Sequence, residues 1–240
     1  MRVLKLCLVG LATIIITVLS VSELGNASRW AKNPEQSAGV VSEIKTSHRI
    51  VSSSAGVATQ RYRLDPSQSK FIAHALAGGL LWFKGHDHLV AVREFTGEAQ
   101  LTPGSVIPSS LQITAKAESM VETSSVFTEP QKQIIDKELR EIVLEPSKYP
   151  DIIFRSTNVT GKSTGNQYDL SITGDLSLHG VTRQITIPAK VTVTGNDLRA
   201  IGEFSIDRGD FKVKATSAVH GLVRIRDKVK FTFDIVGHQL

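Results

Sequence analysis

Residues 168–193 read YDLSITGDLSLHGVTRQITIPAKVTV, and their alternation decides the fold class. Leu170, Ile172, Leu176 and Leu178 share one parity, with Ser171, Thr173, Asp175 and Ser177 on the other. After His179-Gly180-Val181-Thr182 the pattern restarts, Ile185, Ile187, Ala189, Val191 and Val193 alternating with Thr186, Lys190 and Thr192. Successive side chains of a strand point to opposite faces, so each run is a ribbon with one apolar and one polar side. A short glycine-containing connection between two such runs predicts a hairpin.

The same period extends outward. Tyr62 to Asp65 and Lys70 to Leu76 are expected as strands around an Asp65-Pro66-Ser67 turn, and Val90 to Leu101 as one strand ended by Thr102-Pro103-Gly104. Leu111 to Val121, Ile152 to Thr157, Leu198 to Ile206 and Val219 to Arg226 follow, the last continuing through Asp227 into Val229 to Val236. One segment breaks the period: Pro130 to Leu144 places Ile135, Leu139, Ile142 and Val143 at helical spacing, with Pro146 just beyond. Eight or more antiparallel strands and one helix cannot lie flat without exposing long edges, and closure into a barrel removes those edges. Eight strands make the smallest barrel that holds one small ligand. The inward positions are mostly medium aliphatics; the whole chain carries only nine Phe, three Tyr and two Trp. A long unbranched or isoprenoid chain suits such a tube.

The N-terminus has a different character. Arg2 and Lys5 precede an uncharged apolar run from Leu6 to Val21, then Glu23 and the small-residue exit Gly25-Asn26-Ala27. That order reads as a secretory signal over residues 1–27, and the run is short of the roughly 20 residues a membrane span needs. Its alternative is an anchor through residues 6–21. Residues 28–58 are polar and aperiodic and read as a spacer, which leaves one domain over 59–240. The single cysteine, Cys7, lies in the signal, so the exported chain has no thiol for a disulfide, a metal or a nucleophile. Removing Arg2, Lys5 and Glu23 leaves 26 basic and 22 acidic residues, a net +4. These charges are dispersed and form no basic run with interleaved aromatics, which excludes nucleic-acid binding from the expected functions. A mild positive excess suits solubility and transient contact with an anionic membrane surface.

Gly85-His86-Asp87-His88 is the sharpest polar feature. In an extended chain His86 and His88 point the same way, and His74 on a neighbouring strand would complete a three-histidine metal set. The competing reading has the pair cap a turn at the barrel mouth or meet a ligand head group. His179 and His220 each precede glycine at a strand boundary and read as turn-stabilising residues, and Asp207-Arg208 with Asp210 reads as a tight polar turn. A Ser-His-Asp hydrolase lacks the expected Gly-x-Ser-x-Gly elbow.

Taken together, the segments YRLDPSQSKFIAHA, EFTGEAQL, EPSKYPDIIFRST, DLSLHGVTRQITIPAKV and FSIDRGDFKV resemble, in order and spacing, the YceI-like family over nearly all of Arg61 to Gly237. The chain departs from that pattern at GGLLWFKGHDHLVAV. The resemblance implies a mainly β fold, an eight-stranded antiparallel lipocalin-like barrel with one helix, in a periplasmic or secreted protein. It also implies an isoprenoid or other long-chain lipid as partner and no catalysis; no cofactor or resident metal is expected, and the reading leaves room for a homodimer. The expected ligand-binding residues are Phe71, Leu111, Ile113, Leu170, Ile172, Leu176, Ile185, Ile187, Phe204, Phe231 and Phe233, with His86 and His88 at the mouth. Alternation alone leaves open whether those apolar faces enclose a cavity or simply fill a core.

Overall fold

A computed structural model of the protein describes residues 58–218 and 222–240. The signal, the spacer up to residue 57 and His220 lie outside the described residues. In chain order the strands are β1 (Gln60–Ala75), β2 (Ala77–Gly78), β3 (His88–Val92), β4 (Phe95–Leu101), β5 (Ser109–Lys116) and β6 (Met120–Glu122). Helix α1 (Glu129–Glu138) follows and widens into a π-helical turn over Leu139–Val143. Then come β7 (Asp151–Thr164), β8 (Gln167–Leu178), β9 (Val181–Thr194), β10 (Asp197–Asp207), β11 (Ser217–Ala218), β12 (Val223–Ile225) and β13 (Lys228–Gln239).

Eight of these strands close on themselves. The antiparallel order β13-β10-β9-β8-β7-β5-β4-β1 returns to β13 through the β1–β13 pairing. At about 3.3 Å per residue and a tilt near 40°, twelve-residue β8 gives a wall roughly 30 Å tall. Its partner β9 begins after the two-residue turn His179-Gly180, whose φ values of 51° and 73° are both positive. That left-handed pair matches the twist of the flanking strands, which is why so short a connection suffices.

The structure corrects several expected boundaries. The two strands expected over Tyr62–Asp65 and Lys70–Leu76 are one bulged strand, Gln60–Ala75, in which Asp65 pairs with Val236 and Lys70 already with Asp234. The Asp65 carboxylate holds the bulge by accepting from Ser67 N–H at 2.8 Å and from Gln68 at 2.8 Å. Val90 to Leu101 and Leu111 to Val121 are each bent into two strands, at Arg93-Glu94 and at Ala117–Ser119. The two bends lock together: Lys116 N–H donates to Glu94 C=O at 2.9 Å, and Glu94 N–H to Ser119 Oγ at 3.0 Å. Beyond them β3 and β6 pair with each other instead of continuing the barrel. The segment expected as a Val219–Arg226 wall strand contributes β12 to a small separate sheet with β2 and β11.

One end of the barrel, called lower here, is stopped by side chains. Tyr62, Leu101, Tyr168 and Leu198 are all buried there, and Tyr168 Oη accepts from Gly104 N–H at 2.9 Å. Helix α1, the π turn, the small sheet and the Arg208–Phe211 turn gather at the other, upper end, around residues such as Leu178 and Ile206.

Candidate functional site

Between the two ends the barrel is hollow. A lower cavity of about 130 Å³ is lined almost wholly by aliphatic and phenylalanine side chains, among them Leu111, Ile113, Leu170, Ile172, Ile185, Ile187 and Phe233. An upper cavity of about 170 Å³ is lined by Ala73, Val90, Met120, Leu139, Leu178, Ile206, Ile225 and Phe231, with His88, Glu138, Arg208 and Lys214 among its polar members.

Phe71, Ile152, Leu176 and Phe204 line both cavities and so form the waist between them. Four rings meet here. Phe204 stacks on Phe231 at 5.0 Å with planes 10° apart, while Phe71 meets Phe231 and Phe233 edge-on at 6.1 and 6.5 Å. The backbone makes room for them at Gly202, directly opposite Phe233, where a Cβ would lie 2.5 Å from the Phe233 ring.

The upper end is chemically different from the lower. Glu122 is 4% exposed and its carboxylate accepts from His88 Nδ1 at 2.8 Å, Ser124 N–H at 2.7 Å and Leu89 N–H at 3.1 Å. Burial pushes its carboxyl upward, but those three donors outweigh burial and hold it below the usual glutamate value. The His88 ring is thereby fixed, stacked on Phe127 at 5.0 Å. Arg208 donates through Nη1 to Val213 C=O at 2.8 Å and through Nη2 to Asp227 at 2.5 Å. Its buried Nε has no partner among the described residues. Lys214 both lines the cavity and is exposed, which marks where the cavity reaches the surface.

All eleven apolar positions expected at the ligand therefore face the cavities, and His88 joins them. His86 does not: it is exposed and touches Phe127 edge-on at 5.7 Å. Nor does the three-histidine set form. His88 pairs with Ala75 across β1–β3, whereas His74 pairs with Leu89, one residue out of phase. The pleat thus sends His74 to the outer face, where Nε2 lies 2.9 Å from Thr232 Oγ1. Among the described residues no three His, Cys, Asp or Glu side chains are placed to hold a metal ion. His179 is a turn residue, bonded through Nε2 to Glu145 at 3.0 Å and packed on Tyr149. Glu122, Glu138, Arg208 and Lys214 are not among the expected ligand positions: Glu122 ends the three-residue β6, Glu138 ends helix α1, and Arg208 and Lys214 lie in and just after the Arg208–Phe211 turn, so no long strand period marks them as inward.

Comparison with known proteins supplies the relatives. The family model described as YceI-like domain matches residues 62–237. A UPF0312 protein of Vibrio campbellii is 36% identical over 106 residues, spanning 41% of this chain and 53% of that protein. Protein YceI of Escherichia coli O157:H7 is 41% identical over 83 residues, 34% of this chain and 40% of that one. The matched part thus spans about half the length of these curated relatives or less. Among solved structures, Burkholderia cenocepacia BcnA superposes with a TM-score of 0.56 at 20% identity, covering 72% of this chain and 98% of its own. A Saccharophagus degradans domain described as polyisoprenoid-binding and implicated in plant cell wall breakdown superposes at 0.50 and 13% identity, covering 75% and 98%. At these identities the superpositions establish a shared fold.

Proposed function

Since the chain belongs to the YceI-like domain family, we propose that it is an exported lipid carrier whose barrel buries an isoprenoid or other long-chain tail in its apolar cavities. The observation that carries this reading is the pair of apolar cavities in line, lined by residues whose parity fixes them inward. Burial of the tail supplies affinity at about 0.8 kcal/mol per CH₂. Among the described residues only the upper cavity has charged groups in its lining, so it receives the head: His88 oriented by Glu122, Arg208 with no described partner at Nε, and Lys214 at the surface. Two of these are cationic, which favours an anionic or strongly polar head group. The polyisoprenoid-binding description of the Saccharophagus relative supports the choice of ligand class. No chemical step is assigned: the reading is of a binding protein in the periplasm or outside the cell, addressed there by the segment before residue 28.

The test is mass spectrometry of solvent extracts from protein purified without detergent, followed by titration of the delipidated protein with a prenyl alcohol and a fatty acid. A co-purified long-chain lipid, or saturable uptake of either probe, is the expected result. Empty protein that takes up neither would refute the proposal.

A further inference from the structure

A lipid carrier must collect its cargo from a bilayer, and one element beside the upper cavity is built for that contact. The β1–β3 connection turns outward at Gly79 and exposes Leu80 (77%), Trp82 (56%) and Phe83 (63%) on one turn. This tip is held rigidly. Leu81 N–H donates to Leu222 C=O at 2.9 Å, and Lys84 and Gly85 N–H close a 3-10 turn onto Leu81 and Trp82 at 2.9 and 3.0 Å. Gly79 has φ +87°, and a Cβ there would meet the Leu222 carbonyl oxygen at 2.5 Å. Apolar side chains exposed singly are ordinary, but three large ones presented together on a fixed turn are a contact surface.

The neighbourhood of the tip is cationic. Lys84 follows Phe83 directly, and Trp82 forms one wall of a recess shared with Gly78, Gly79, Arg224, Arg226 and Asp227. The Asp227 carboxylate is already taken by Arg208, and Arg226 Nε is anchored on Ala77 C=O at 2.9 Å. Strand alternation along β12 links recess to cargo: Arg224 and Arg226 line the recess while Ile225, between them, lines the upper cavity. A head group held in the recess is therefore one strand's thickness from the space that takes a tail.

We propose that Leu80, Trp82 and Phe83 dock the barrel onto an anionic bilayer, with a lipid phosphate seated between Trp82, Arg224 and Arg226. The proposal rests on the carrier reading above. Aromatic rings flanked by Lys and Arg are the composition that partitions into the membrane interface. Three side chains fall far short of the roughly 800 Å² per partner that a stable protein interface buries, so a second copy is the weaker occupant.

The chain has two tryptophans, Trp30 and Trp82, so Trp30→Phe in the full chain leaves Trp82 as the reporter. On vesicles of phosphatidylcholine and phosphatidylglycerol in equal parts, Trp82 emission shifts blue and is quenched by brominated acyl chains. Leu80→Ser with Phe83→Ser raises the lipid needed for half the shift by about tenfold or more. Lys84→Glu with Arg224→Glu, or high salt, abolishes the preference for phosphatidylglycerol over pure phosphatidylcholine. Unchanged Trp82 emission overturns the proposal even if the chain sediments with vesicles through its N-terminal segment. Indifference to the charge reversal, or a blue shift that grows with protein concentration in the absence of vesicles, overturns it too. Lipid loading separates the two ideas: protein that carries or takes up lipid but whose tip ignores vesicles sinks docking alone, and lipid-free protein that takes up neither the prenyl alcohol nor the fatty acid sinks the carrier reading.

Discussion

Phe204→Ala tests whether the waist divides one tube into two compartments. The substitution removes a ring that stacks on Phe231 at 5.0 Å and borders both cavities. A fully packed Phe→Ala change costs about 3–5 kcal/mol. Phe204 faces empty space above and below, so part of its surface has no contacts to lose. About 2 kcal/mol is expected, of which roughly 1 is the aromatic pairing. For a domain of this size each kcal/mol moves Tm by about 2–4 °C, which gives a fall of roughly 4–8 °C by calorimetry. Binding changes in the opposite sense, because joining the cavities admits longer or bulkier chains. Delipidated wild type and variant are offered a mixture of prenyl alcohols of graded length, and the bound set is read by native mass spectrometry. The variant's set shifts to longer chains. An unchanged length distribution with the expected Tm fall would falsify the two-compartment argument. A loss of about 4 kcal/mol or more would show that the rings sit in a filled core.

Ile187→Trp projects a larger ring into the lower cavity and is expected to expel bound lipid with little change in Tm, since the ring occupies open space. A destabilisation of about 1–3 kcal/mol, the usual cost of overpacking, would mean the space is absent. Glu122→Ala strips the acceptor from His88, Leu89 and Ser124, and leaving buried donors unpaired costs about 2–4 kcal/mol, or roughly 5–15 °C in Tm. Because the folded Glu122 carboxyl is held below its ordinary value, that contribution is present above the unfolded pKa and lost as pH falls through the folded one. The calorimetric difference should thus close only in acid. His238 runs the other way: hydrogen bonds to Asp197 and then Asp65 raise its pKa. Its stabilisation is complete below the ordinary histidine value of about 6.5 and fades as pH rises through the folded value. A Tm gap to His238→Gln that stays constant from mildly acidic to alkaline pH would contradict this.

The barrel was legible because its wall obeys one rule without exception over long stretches, and the places where the reading slipped obey a second rule that parity also records. Buried side chains of β1 are even before the bulge (Tyr62, Leu64) and odd after it (Ala73, with Phe71 packed beside it). The three extra residues between Asp65 and Lys70 account for the switch. β7 does the same across one extra residue, Phe154 giving way to Val159 around the register shift after Ser156. Val90 and Val92 are even and Phe95 and Leu101 odd, so the bend at Arg93-Glu94 was written in the sequence. Ala115 and Ala117 against Met120 mark the second bend. The histidines offered no such signal. Whether His74 and His88 share a face depends on β1–β3 register, and the odd offset that separates them exists only once the strands are paired.

The illegible residues are also the ones that distinguish one end of the tube from the other. Among the described residues every short helical or π element, the small second sheet, and each charged group on a cavity wall lies at the upper end; the lower end is turned by short loops and stopped by Tyr62 and Tyr168. Regular alternation can build a wall with an apolar lining, but it cannot give that wall a direction, since every turn of the pattern is equivalent to the next. Direction requires residues that break the period, and such residues concentrate where function departs from simple packing. Glu122 illustrates this: at the end of a three-residue strand, it is buried only because His88, Leu89 and Ser124 converge on it. The GGLLWFKGHDH stretch forms the connection at this same end. The wall therefore reports what class of chain the barrel can hold, and in the proposed carrier it is the irregular end that would select the head group and the surface it meets.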